Sequence, residues 1–239
     1  MKPDIRTLIQ YEDSQVIVCR KPAGLAVQTA RIGAADLVSL LKNHLASGMD
    51  RNTSGRPPYL AVIHRLDQPV EGLLVFARTP AAAKDLNRQL TSSGFGKYYR
   101  AIVTGIPSPS EGTLEDYLIK DGRTNTSRVC GEHTPGAKLA RLHYQVERIC
   151  EDTHPAASLV KIRLDTGRHH QIRVQMAHLG CPLAGDRKYG GMPDAPGSLP
   201  GGTDHSRNSE PLRLCAYRLE FRHPGSGKQM VFELTDPWK

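Results

Sequence analysis

His64-Arg65-Leu66-Asp67 separates two apolar runs, Leu60 to Ile63 and Leu73 to Ala77. Both runs read as buried strands, which puts the four residues where a sheet hands the chain to a loop. Arg65 precedes Asp67 closely, and the following Gln68-Pro69 pair bars a helix. The carboxylate is therefore presented on a loop with a cation nearby to keep it ionised. A plain turn carboxylate meets the same description, because Asp ahead of X-Pro is common in turns.

Upstream, the β-branched run Val16-Ile17-Val18 reads as a strand ended by the turn Lys21-Pro22-Ala23-Gly24. Leu37, Leu40, Leu41, His44 and Leu45 recur at helical spacing with Gly48 as the stop, and His44 on that face reads as a packed or half-buried histidine. The polar stretch from Ser47 to Pro58 is a loop. Downstream, Thr79-Pro80 is an N-cap followed by proline at the first helical position. Ala83, Leu86 and Leu90 mark the apolar face of that helix, and Gly94 and Gly96 are its expected close. Lys97 to Val103 opens a strand whose alternation puts Tyr98 and Tyr99 on opposite faces.

Residues 107–136 are polar and turn-rich, with strand pieces expected around Leu114 and Val129. Leu142, Tyr144 and Val146 alternate, as do Val160, Ile162 and Leu164, giving two half-buried strands. Two more strands, Leu212 to Phe221 and Met230 to Leu234, flank a Pro224-Gly225 turn. Gly190 to Pro211, rich in Gly, Pro, Ser and Asp, reads as a mobile surface loop.

A second concentration of polar residues is Asp165-Thr166-Gly167-Arg168-His169-His170-Gln171-Ile172-Arg173. Ile172, Met176 and Leu179 share a helical face and Gly180 is placed as the stop, so Arg168 to Gln171 lie at the helix start. Backbone N–H groups there, with Arg168, Arg173 and two histidines, form an anion site. A solvated basic turn is the plainer alternative.

A length of 239 residues allows one large domain or two lobes sharing a sheet. The formal charge of +8 favours a polyanionic partner, since displacing counterions from phosphates supplies affinity without sequence preference. Five scattered cysteines and the absence of an apolar leader point to the cytoplasm. No apolar run approaches membrane-spanning length. Cys130/His133 and Cys150/His154 lack a Cys-x-x-Cys or His-Glu-x-x-His partner, so no metal site is expected. The His-x-Glu and Pro-Cys-x-x-Cys of base deaminases are missing, as are a Walker loop and a dinucleotide fingerprint. Asp67 with Glu71 forms a weak glycosidase pair, because four residues across a proline loop do not fix their separation.

A basic chain, a cation-flanked carboxylate, a tyrosine at a strand start and an arginine cluster suit chemistry on an RNA base. The sequence resembles the RluA-type pseudouridine synthases in Lys21-Pro22-Ala23-Gly24-Leu25, in His64 to Asp67 with Gly72 to Ala77, and in Lys97-Tyr98-Tyr99-Arg100-Ala101. Thr166-Gly167-Arg168 through Arg173, Gly185-Asp186 and Tyr189-Gly190 continue the match in family order. The resemblance implies a mixed α/β (α+β) fold, a long, bent, largely antiparallel sheet in two halves about a central catalytic cleft. It also implies one catalytic domain over 1–239 with two lobes and no small RNA-binding domain before it.

By the same resemblance Asp67 matches the catalytic aspartate, Tyr99 the tyrosine that stacks on the target base, and Arg173 the arginine paired with the aspartate, with Arg168 as competitor for that role. His64, Arg65, Lys97, Arg168, His170 and Gln171 are the expected RNA contacts. The implied substrate is ribosomal or transfer RNA, the implied state a monomer, and no cofactor is needed, because the isomerisation involves no redox change. Two departures stand out. The family often follows the aspartate with a basic residue, an acid and Thr-Ser-Gly, where this chain has Gln68-Pro69-Val70-Glu71-Gly72, and His169 stands where Thr or Ser is usual.

Overall fold

The computed structural model describes residues 3–31, 33–48, 57–92, 94–150, 155–190, 210–235 and 238. Most of the expected surface loop at 190–211 and most of the polar stretch before Pro58 lie outside them. In chain order the elements are α1 (Ile5–Leu8), β1 (Ile9–Glu12), β2 (Val16–Lys21), α2 (Leu37–Ser47), β3 (Ala61–Val62), β4 (Glu71–Ala77) and α3 (Pro80–Thr91). There follow β5 (Gly96–Thr104), β6 (Glu111–Asp121), β7 (Thr126–Cys130), β8 (Lys138–Cys150), β9 (Ala157–Leu164), α4 (Gln171–His178), β10 (Leu214–Arg222) and β11 (Gln229–Glu233). The chain divides into two compact units, residues 1–96 with 216–239, and residues 97–215.

In the first unit the strands run in the order β1-β2-β4-β10, with β3 on β4 and β11 on β10. The ladders are antiparallel. Val16 to Val18 and Leu74 to Ala77 have no exposed surface, so β2 and β4 form the centre of the core. α3 packs on β3 and β4 through Ala82, Ala83 and Leu86, and Thr79 caps it as expected, accepting from the Ala82 N–H. The aromatic rings of Phe95, Phe221, Phe232 and Tyr11 form a chain, with successive centroids 6.1, 6.0 and 5.8 Å apart. Gly72, φ +130°, lies so close to β10 that a Cβ there would overlap the backbone of Ala216.

Two sequence expectations are corrected in this unit. The run Leu60 to Ile63 supplies only the two-residue β3, half-buried, because Pro57 and Pro58 lack the N–H groups a ladder needs. The helix α3 ends at Thr91 and Ser92, short of the glycines. The Ser92 N–H and hydroxyl both donate to the Gln89 carbonyl, and the Thr91 hydroxyl donates to Arg88, so side chains satisfy the last turn and Gly96 is released to open β5.

The second unit is an antiparallel sheet in the order β5-β9-β8-β6-β7. Leu114 and Val129 do lie in strands, β6 and β7. Helix α4 packs on β6 and β7, where Val174 meets Leu118 and Ala140 with Val129 and Tyr189 beside them. Its C-terminus closes as the Gly180 stop requires. Gly180 takes φ +85°, its N–H bonds the Ala177 carbonyl, and the Cys181 N–H reaches back to Met176 at 3.0 Å.

Candidate active site

The segment between β3 and β4 is fixed by alternate burial. Ile63, Leu66 and Val70 point into the core, Arg65 is exposed and Asp67 is half-buried. A turn closes at once behind the aspartate, with the Val70 N–H bonded to the Asp67 carbonyl at 3.0 Å. His64, expected at the RNA surface, is turned toward the sheet. Its Nε2 faces the Val75 N–H at 3.4 Å and its ring sits edge-on to Phe95, centroids 5.3 Å apart.

The loop after β2 braces this turn. The Gly24 N–H donates to the Gln68 carbonyl at 2.9 Å, and the Gln68 side-chain amide donates back to the Gly24 carbonyl at 3.0 Å. Beneath them Lys21 is fully buried, and its ammonium donates to the carbonyls of Pro22, Leu25 and Gln68 at 3.0, 2.7 and 3.0 Å. An ammonium carries three N–H groups, so three acceptors satisfy it completely. Burial pushes the Lys21 pKa down to about 8, against the opposing pull of the negative charges on Asp67 and Glu71. The cation beneath the Asp67 turn is thus the buried Lys21, while Arg65 is exposed. Glu71, the second carboxylate of the glycosidase alternative, is the first residue of β4 and is engaged by Arg20 at 3.2 Å.

In the second unit, alternation along β5 buries Lys97, Tyr99, Ala101 and Val103 on one face and leaves Tyr98 half-buried on the other. Lys97 is only 9% exposed, and burial lowers its pKa, with the Asp165 charge opposing and Arg168 reinforcing that shift. Across α4, Arg173 is bidentate on Asp186, Nε at 2.7 Å and the terminal nitrogen at 2.6 Å, with both side chains almost wholly buried. Asp186 also accepts from the backbone N–H groups of Lys188 and Tyr189, and the Arg173 guanidinium lies 5.0 Å from the centre of the Tyr189 ring.

The start of α4 is organised for support more than for display. His170 takes the left-handed conformation at φ 55° and caps no N–H with its side chain. Its Nδ1 lies 2.7 Å from the Tyr189 hydroxyl, which itself accepts from the Ser127 N–H. Burial first, and the nearby Arg173 and other cations next, push the His170 pKa down to about 3, so the ring stays neutral at physiological pH. Gln171 accepts from the Thr166 hydroxyl and the Arg168 N–H and donates to Arg141 and Gln175, which uses every hydrogen-bonding position of its amide. His170 and Gln171, expected at the RNA surface, are buried and hydrogen-bonded within this unit, and Lys97 is buried on β5. Arg168 remains exposed, its Nε held by the Leu139 carbonyl at 2.7 Å.

A family model described as RNA pseudouridylate synthase matches residues 15–178. The chain belongs to that family. Ribosomal large subunit pseudouridine synthase D of Pseudomonas aeruginosa is 36% identical over 98% of this chain and 69% of its own length. The protein of the same name from Vibrio cholerae is 35% identical over 98% of this chain and 68% of its own length. Among solved structures, human RNA pseudouridylate synthase domain containing 4 superimposes with TM-score 0.72 at 24% identity, covering 98% of this chain and 91% of that one, which establishes the shared fold. The mixed α+β fold and the pseudouridine synthase activity implied by the sequence are those of the family.

Within this RNA pseudouridine synthase two residues were quoted in motifs without a role, Lys21 and Asp186. A charged residue at the end of a strand that opens with four apolar residues was the available signal for Lys21. Asp186 carried a weaker one, a carboxylate directly after a glycine, which in the structure takes φ +73°.

Proposed function

We propose that the protein converts a uridine of large-subunit ribosomal RNA to pseudouridine, with Asp67 acting on the reacting nucleotide, Tyr99 stacking on its base and Arg173 balancing the aspartate charge. The names of the bacterial relatives supply the RNA class. The observation that carries the assignment of Asp67 is its place on a turn fastened from beneath by a buried ammonium, a frame that fixes one carboxylate rather than a mobile surface acid. The reaction breaks the bond from C1′ to N1, turns the base, and joins C1′ to C5, whose proton is then lost while N1 gains one. Atoms and electrons balance within the nucleotide.

Asp67 serves either as nucleophile or as base toward the ribose, and both roles need an ionised oxygen. The target uridine must leave its stack to reach the protein, and the Tyr99 ring gives it a new face. No helix among the described residues is long and apolar enough to cross a membrane. The test is Asp67→Asn, which keeps the shape and loses the charge. Ribosomal RNA from cells lacking the protein is incubated with each form and digested to nucleosides. Wild type should generate pseudouridine and Asp67→Asn none, and substantial turnover by the purified variant would overturn the assignment.

A further inference from the structure

Gln68 occupies the first position at which this chain leaves the family's common pattern, directly after Asp67. Its backbone and its side chain both engage one residue of the opposite loop. The carbonyl takes the Gly24 N–H at 2.9 Å, and the side-chain amide returns a hydrogen bond to the Gly24 carbonyl at 3.0 Å. That amide faces a carbonyl, so the atom presented is the N–H donor. The Gln68 carbonyl is also one of the three acceptors of the buried Lys21 ammonium, at 3.0 Å. Pro69 restricts the Gln68 backbone further, since a residue before proline is confined to extended conformations. Gly24 itself takes φ +85°, while a Cβ there would meet nothing within 4 Å, so glycine is required by its backbone conformation and not by crowding.

We propose that Gln68 is a positioning residue whose side-chain donor locks the Asp67 turn to the Gly24 loop and so holds the Asp67 carboxylate in its reacting orientation. The inference rests on Asp67 being the reacting carboxylate. The peptide joining Asp67 to Gln68 is the lever. With the Gln68 carbonyl pinned by two donors and the turn closed from Val70 to Asp67, the remaining freedom at this corner is a hinge between the two loops, and the amide bond to Gly24 closes it. Because the Gln68 side chain is exposed, replacing it opens no cavity.

Three variants separate the donor from size and charge. Gln68→Met keeps the length without a donor, Gln68→Glu keeps the shape without a donor, and Gln68→Arg restores one. Each is measured for single-turnover pseudouridine formation at saturating ribosomal RNA transcript, and for affinity toward that transcript by filter binding. Loss of one hydrogen bond should slow Gln68→Met and Gln68→Glu by roughly fivefold to tenfold. Affinity should hold within about twofold for Gln68→Met, and Gln68→Arg should recover most of the rate. Three outcomes overturn the proposal: a wild-type rate in Gln68→Met, weakened RNA binding with an unchanged saturated rate, or a Gln68→Arg rate no better than that of Gln68→Met. Asp67→Asn is run beside them, and turnover there overturns the reading of Asp67 separately, whatever the Gln68 series shows.

Discussion

At the scale of single residues, Lys21 shows how a buried charge is retained. An ammonium taken out of water is stabilised only if every N–H finds a partner, and three carbonyls supply them. Its pKa of about 8 lies below the ordinary 10.5, which fixes the sign of its effect on folding. Below pH 8 it is charged in both folded and unfolded chains. Between 8 and 10.5 the unfolded chain binds more protons, so this group makes the fold more stable as pH rises through that window. Activity should move the other way. A neutral amine has two N–H groups for three carbonyls, so one brace is lost and the Asp67 turn slackens. The single-turnover rate should therefore fall through one ionisation near pH 8, with the circular dichroism unchanged. Lys21→Met should be slower throughout and lack that step. The same inflection in Lys21→Met would assign it to another group.

At the scale of elements, the strands and helices that carry the core were largely legible, because β2, β4, α2 and α3 are specified by local apolar spacing and by caps such as Thr79. What was not legible depends on partners distant in sequence. Lys21 meets a carbonyl 47 positions away, and Gln171 accepts and donates across a loop and a neighbouring strand, so its placement as a brace is invisible to periodicity. The motif that ends at Asp67 could be read as a pattern, but the lysine beneath its turn could not. The same limit applied to α4, where nothing local in the sequence marked Asp186 as a partner of Arg173. The Nε edge of Arg173 is committed to Asp186, and both side chains are nearly free of solvent. Removing either partner takes a buried counter-charge from the other, so Arg173→Ala and Asp186→Ala should each cost about 3–5 kcal/mol in urea denaturation. Arg173→Ala combined with Asp186→Ala should lose much less than the two single effects added together. Arg168→Ala with Asp186→Ala should be additive, since Arg168 is exposed and held by the Leu139 carbonyl. Additivity in the Arg173 pair would show that the ion pair contributes no coupling to the fold.

At the scale of the whole molecule, the excess of +8 charges bears on how RNA is held rather than on which uridine reacts. Phosphate contacts position a nucleic acid, and each one formed displaces a counterion, so the slope of log affinity against log salt counts them. The burial of Lys97, His170 and Gln171 narrows the group that serves this purpose, leaving Arg65 and Arg168 as the exposed cations of the two motifs. A side chain reading a base edge would weaken the target RNA selectively when removed. One meeting phosphate should weaken every RNA alike. Arg168→Ala is expected to behave in the second way, lowering affinity for a ribosomal transcript and for an unrelated RNA by the same factor and flattening the salt slope by about one unit. The measurement is a filter-binding titration of both RNAs between about 50 and 200 mM salt, the range over which counterion release dominates. An unchanged slope would remove Arg168 from the phosphate-contacting set. Selective loss of the ribosomal transcript would instead place its guanidinium against the bases.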